Sequence, residues 1–254
     1  MLLEIDGLSI FYGREKAVDS VSLALGAGER VALAGESGSG KSTLGRAIIG
    51  LLPPGARSQA GRFLFAGQDL ASMNRDEWRS LRGKRIGLVL QDARYALTPT
   101  MRIGDQMEEA IRVHEAISSA GAKARCRDLL IRVRLDEPDR VMRAFPHQLS
   151  GGMGQRAMIA LALSLSPEML IADEPTSALD QETAESVAEL LREQSLERGM
   201  ALLLITHDLN LAQRLCSRVA VMKDGAMVAC EDSAALSASR HPYVRRLLDA
   251  VLAA

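Results

Sequence analysis

Apolar and polar residues alternate along Leu2–Ile10 and again along Val18–Leu25, the two-residue period of strands with one buried face, and Gly26–Gly28 makes the turn after them. Arg30–Gly35 is dominated by a continuous apolar run, which suits a strand buried on both faces. Ser42–Leu52 reads as a helix that stops at Pro53 and Pro54. From about Ala93 to Gln148 the period lengthens. Ile103, Met107, Ala110, Ile111 and His114 recur at helical spacing, Cys126–Leu135 continues the pattern and Pro138 breaks it, so this stretch is expected to be a helical insertion. After Gln155 the pattern predicts a helix over Arg156–Ser166, a buried strand at Met169–Asp173, a helix over Gln181–Gly199 and a strand at Ala201–Thr206. That alternation predicts a parallel sheet covered by helices. Arg218–Cys230 reads as two strands joined at Asp224–Gly225, and Pro242–Ala253 as a terminal helix.

Composition changes this picture little. With 47% hydrophobic and 25% charged residues over 254 positions, the chain reads as one sizeable globular domain. A net charge of −1 supplies no basic field for nucleic acid. Cys126, Cys216 and Cys230 form no CxxC pair, so neither a disulfide framework nor a zinc site is indicated, and a reducing cytosol fits. The first ten residues carry Glu4 and lack the basic start of a signal peptide. The most apolar stretch, Ala157–Ala172, is broken by Pro167 and Glu168 and is too short to span a bilayer. Work at a membrane therefore requires docking to something already there. His114, His147 and His241 share no ligand spacing with the cysteines and are expected to bind no metal. Trp78 and the charge-rich stretch Asn74–Arg85 are expected to be a solvated face.

The chemistry concentrates in three places. Gly35–Thr43, GESGSGKST, fits G-x-x-x-x-G-K-[ST] and lies between a buried strand and a helix. Its glycines let backbone N–H groups turn inward as an anion nest, and the helix beginning near Lys41 adds its positive end. Lys41 supplies a full charge for β- and γ-phosphates and Ser42 a hydroxyl for Mg²⁺. Glu36, Ser37, Gly38, Ser39 and Gly40 complete the cradle. The apolar strand Met169–Asp173 ends in two acids: Asp173 is expected to hold Mg²⁺, and Glu174 to polarise the attacking water. Leu149–Arg156, LSGGMGQR, is a second glycine-centred anion site opening a helix. One nucleotide does not need two such sites. Two chains packed head to tail do, each offering Ser150, Gly151 and Gly152 to its neighbour's γ-phosphate, with nucleotide as the glue.

On these motifs the chain resembles the nucleotide-binding subunit of an ABC transporter over essentially its whole length. The resemblance implies an α/β fold: a P-loop NTPase core (1–92 and 156–254) with a mostly parallel sheet, an N-terminal antiparallel β subdomain, and an inserted α-helical subdomain (about 93–155) ending in the signature. It also implies further roles. Tyr12 resembles the aromatic that stacks on adenine, and Gln91 the Q-loop glutamine that meets Mg²⁺. Asp180, in Ser177–Asp180, resembles the D-loop aspartate at a dimer interface, and His207 the switch histidine that contacts the γ-phosphate. Gln155 falls within the signature and is expected at the nucleotide with Ser150, Gly151 and Gly152. The implied ligands are ATP and Mg²⁺, and the activity is ATP hydrolysis.

The stretches Gln91–Met107, Phe145–Met153 and His241–Leu248 resemble importers for peptides and nickel. Thr98-Pro99 stands where the peptide type usually has Asn-Pro, and the chain stops at Ala254, where longer members continue. Both features favour nickel or a metal–chelator complex as cargo, with di- or oligopeptides as the alternative. The implied partners are a second ATPase subunit, expected to be different though an identical one also fits, two permeases and an extracytoplasmic binding protein. The implied location is peripheral, on the cytoplasmic face of the inner membrane. A soluble ABC ATPase acting on nucleic acid or ribosomes is the rival from another class, and the near-neutral charge speaks against it.

Overall fold

The computed structural model describes residues 1–252, and side chains for residues 1–249. Two compact units divide the chain: Met1–Arg79 with Gly199–Ala254, and Ser80–Arg198. The helices expected as an insertion over 93–155 lie within the second unit, together with the strands and helices that flank them. Ala93–Ala96, Ile103–His114 and Ser119–Arg132 pack against the helix that opens at the signature, and Pro138–Arg143 packs on the latter two.

The first unit begins with β1 (Leu3–Tyr12), β2 (Glu15–Leu25), β3 (Arg30–Ala34), α1 (Lys41–Ile48), β4 (Ala56–Gln59), β5 (Arg62–Phe65), β6 (Gln68–Asp69) and α2 (Arg75–Leu81). β1 pairs antiparallel with β2, β4 and β5. The inward phase slips from Leu3 and Ile5 to Leu8 and Ile10, and the ladder shifts register between Ile5 and Leu8, where a bulge absorbs the extra residue. Helix α1 ends at Ile48, ahead of the expected stop at Pro53. Gly50, at φ +66°, turns the chain, and a Cβ there would lie 2.6 Å from the Trp78 ring. Trp78 is thus half-buried against Gly50, which corrects the expectation that it belongs to a solvated face.

The second unit holds β7 (Ile86–Val89), α3 (Ala93–Ala96), α4 (Ile103–His114), α5 (Ser119–Arg132), α6 (Pro138–Arg143), α7 (Gly151–Ala162), β8 (Met169–Asp173) and α8 (Gln181–Arg198). β7 and β8 pair in parallel, from Ile86 opposite Met169 to Val89 opposite Ala172. Helix α7 starts at Gly151, earlier than the expected Arg156, because the Ser150 hydroxyl accepts the Met153 N–H and caps it.

The chain then returns to the first unit with β9 (Ala201–Thr206), α9 (Leu209–Leu215), β10 (Arg218–Lys223), β11 (Ala226–Asp232) and α10 (Pro242–Leu252). Residue 253 of the expected terminal helix lies outside the described residues. β3 lies between β10 and β9, parallel to both, and Val31–Ala34 and Ala201–Thr206 are fully buried, as their unbroken apolar runs predict. β11 closes an antiparallel hairpin on β10 through Asp224 (φ +47°) and Gly225 (φ +83°), the expected turn.

Candidate functional site

In the first unit, β3 delivers the chain into Gly35–Gly40 and α1 carries it away. Two glycines are required by geometry. Gly35 (φ +146°) would place a Cβ 2.2 Å from the Met222 carbonyl oxygen, and Gly40 (φ +97°) one 2.6 Å from that of Ala17. Gly38 (φ +83°) differs: nothing lies within 4 Å of a Cβ there, so the backbone at the tip is open. The hairpin turn braces the loop from below, with Gly225 N–H donating to Ser39 O at 3.2 Å. Lys41 is only 4% exposed. Its ammonium donates to Gly35 O and Glu36 O, both at 2.8 Å, and to Ser39 Oγ at 3.4 Å. The loop's own carbonyls thus hold the cation. Ser42 and Thr43 follow in the first turn of α1, half-buried, while Glu36 and Ser37 are exposed.

Ala34 pairs with Thr206, so Gly35 and His207 leave adjacent strand ends side by side. His207 is exposed, and Asp208 after it caps α9 by accepting the Leu211 N–H. Tyr12 stands half-buried at the end of β1, on the antiparallel sheet.

One residue of this region was not singled out by its sequence. Tyr243 of α10 is 4% exposed, and its hydroxyl accepts the Glu36 N–H at 3.4 Å. That N–H belongs to the same peptide unit as the Gly35 carbonyl that receives Lys41, so the unit is held at both ends. Lys223 Nζ and the Arg246 guanidinium lie 5.4 and 5.5 Å from the ring centroid. Burial pushes the phenol upward from its ordinary value, against the Glu36 hydrogen bond, so it stays neutral at pH 7. The signal available in the sequence was the His241-Pro-Tyr motif, and it served only to mark a subfamily. Tyr243→Phe keeps the ring and removes one long hydrogen bond. ATP binding is expected to weaken about 2- to 5-fold, with the melting temperature unchanged, as read by titration calorimetry and thermal unfolding.

In the second unit the in-register pair Val89 and Ala172 sends Gln91 and Glu174 out from neighbouring strand ends. Asp173 and Glu174 are half-buried, and Gln91 is exposed. Glu174 adopts φ +48°, uncommon for a residue with a side chain. Its carbonyl accepts the Ser177 N–H at 3.3 Å and the Ser177 hydroxyl at 3.1 Å. Ser150 and Gly151 are exposed at the start of α7, and a Cβ on Gly152 would meet Thr183 Cγ2 at 2.5 Å. Asp180 caps α8 by accepting the Thr183 N–H at 3.0 Å, and hydrogen bonds from Thr183 hold its carboxyl below the usual range. A cavity of about 420 Å³ is lined by Asp92, Arg94, Ser150, Gly151, Gln155 and Leu179, among others.

Gln155, expected at the nucleotide, lines that cavity but is only 1% exposed, and its amide Nε2 donates to Leu90 O at 3.0 Å and Pro175 O at 2.8 Å. Helical periodicity turns it inward from the exposed Ser150 and Gly151 end of α7.

A parallel α/β fold with a lysine-tipped phosphate loop, an acid pair closing a buried strand and a serine-capped signature helix defines a P-loop nucleoside triphosphatase of the cassette type. The family model described as ABC transporter matches residues 18–177. The dipeptide transport ATP-binding protein DppD of Escherichia coli (strain K12) is 42% identical over 98% of this chain and 78% of its own length. The oligopeptide transport ATP-binding protein OppD of Bacillus subtilis (strain 168) is 40% identical over 97% of this chain and 71% of its own. Among solved structures, a dimeric ATP-binding cassette in a post-hydrolysis state bound to ADP and Pi is similar with TM-score 0.80 and 30% identity, covering 91% of this chain and 98% of its own. This chain belongs to the ABC transporter ATP-binding family, and it is an ATPase. Among the described residues, no helix is long and apolar enough to cross a membrane.

Proposed function

We propose that this chain is the ATP-hydrolysing subunit of an importer for di- or oligopeptides. The observation that carries the cargo class is the 42% identity, over 98% of the chain, to a dipeptide transport ATP-binding protein. The expectation of nickel leaned on the Thr98-Pro99 variation and on where the chain stops. Neither touches cargo, and the relatives described above are named for peptide transport instead.

The roles follow the motifs. Gly35–Thr43 binds the phosphates, and Lys41 moves its ammonium from the loop carbonyls to phosphate oxygens. Tyr12 stacks on adenine and His207 contacts the γ-phosphate. Glu174 is the base that takes the proton of the attacking water. Ser150, Gly151 and Gly152 complete a second cassette's site, with Asp180 at that interface. The bare backbone at Gly38 fits a close-lying phosphate. Ser42, Gln91 and Asp173 supply only oxygen donors, the chemistry Mg²⁺ requires; when bound, the ion would neutralise phosphate charge. The second ATPase, the permeases and the extracytoplasmic binding protein are the partners, and peripheral attachment at the cytoplasmic face of the membrane follows from docking to the permeases. The exposed segment around Tyr95, 86% accessible, is the proposed permease contact.

The cargo is tested by deleting the gene. Strains dependent on a di- or oligopeptide for a required amino acid are expected to stop growing, with cellular nickel unchanged. Normal growth on peptides with lowered nickel and nickel-enzyme activity would overturn the peptide reading.

A further inference from the structure

Gln155 is the most fully buried of the motif residues in the second unit, and both hydrogens of its amide are committed to backbone. Its two acceptors are informative. Leu90 immediately precedes Gln91, and Pro175 immediately follows Glu174. The β7–β8 ladder ends at Val89 opposite Ala172, so the Leu90 carbonyl lies one residue, and the Pro175 carbonyl three residues, past the last paired positions. One side chain from a third element bridges the two segments that leave the strands. On the acid side it acts next to a left-handed backbone, Glu174 at φ +48°, whose own carbonyl is fixed by Ser177. The same helix begins at the signature serine, Ser150.

We infer that Gln155 is a positioning residue: it ties the signature helix to the strand ends that present Gln91 and Glu174, and so sets where the water-activating carboxylate stands. The inference rests on the roles proposed above for those two residues. A shift at the Ser150 end of α7 on nucleotide binding reaches both strand ends through one rigid helix and two hydrogen bonds. The phosphate loop belongs to the other unit and is not held by this amide, so the effect falls on turnover and leaves ATP affinity alone.

The test compares the full chain, in its assembled transporter, with its Gln155→Met and Gln155→Glu variants, using ATP as the probe. Methionine keeps the length and removes both donors. Its kcat is expected to fall about 10- to 100-fold, with the Kd for ATP within about 3-fold of wild type. Glutamate places an anion against two carbonyl oxygens. Burial raises its pKa, and once protonated its single O–H can donate to one of them. Its activity relative to wild type is therefore expected to rise as pH falls from 8 to 6, a recovery that simple misfolding does not produce. Gln155→Asn, which keeps the amide and shortens its reach, replaces the methionine variant if that chain does not fold; its kcat is expected to fall with ATP affinity kept. Wild-type kcat in the methionine (or asparagine) and glutamate variants, a loss seen only as weaker ATP binding, or a glutamate pH profile parallel to wild type would each overturn the inference. Glu174→Gln is run beside them. If it is inactive while the Gln155 variants turn over normally, the positioning role alone fails. If it turns over normally, the assignment of the base fails instead.

Discussion

Lys41→Ala is expected to abolish ATP binding and hydrolysis. The ammonium that would meet two phosphates is lost, and each charge-assisted hydrogen bond contributes about 1.5–3 kcal/mol, or roughly 10- to 150-fold in affinity. A Kd for ATP raised by more than about 100-fold is the expected result. The structure adds a second cost. Lys41 also satisfies the carbonyls of Gly35 and Glu36, so its removal loosens the loop itself. Lys41→Arg is not expected to rescue, because the lysine is 4% exposed and its carbonyl cage fits a compact ammonium, not a planar guanidinium. Titration with an ATP analogue, alongside thermal unfolding, measures both effects. Near-normal ATP affinity in the alanine variant would refute the role of the loop.

Glu174→Gln is expected to separate binding from turnover. The amide has the carboxylate's shape, places no new demand on the φ +48° backbone, and cannot accept a proton. General-base catalysis contributes about 10²- to 10⁴-fold, so kcat is expected to fall by about 10³-fold with ATP affinity retained. ATP then holds two cassettes together, and size-exclusion chromatography with ATP and Mg²⁺ should show an association that wild type loses as it hydrolyses. Turnover at the wild-type rate would place the base elsewhere.

Much of the candidate site is legible because its chemistry is local. A phosphate loop needs glycines at fixed offsets from a lysine, and Gly35, Gly40 and Lys41 keep those offsets whatever the rest of the chain does. A strand buried on both faces needs an unbroken apolar run, and Val31–Ala34, Met169–Ala172 and Ala201–Ile205 have one. The Asp224–Gly225 hairpin is legible for the same reason: two successive left-handed residues are a property of the dipeptide. The signature helix shows the limit. Ser150 was visible as an anion site but not as the cap that starts α7, since a cap and a loop serine look alike until the Met153 N–H is seen to turn toward it.

What the sequence determined by itself, then, is the set of candidate groups: the glycine loop with its lysine, the acid pair at a strand end and the serine-glycine motif. Each is specified within a few residues by backbone geometry. Tertiary structure alone decided which residues hold those groups in place. Gln155 reads in sequence as part of a ligand motif and in space as a clamp on Leu90 and Pro175; Tyr243 reads as a subfamily mark and in space as the acceptor for Glu36. Trp78 sits in a charged stretch and yet packs on Gly50. In each case the partner is a backbone group or a glycine surface far away along the chain. Any residue type can offer a carbonyl or an N–H, so such contacts leave no imprint on the partner's identity, and only the folded geometry selects them.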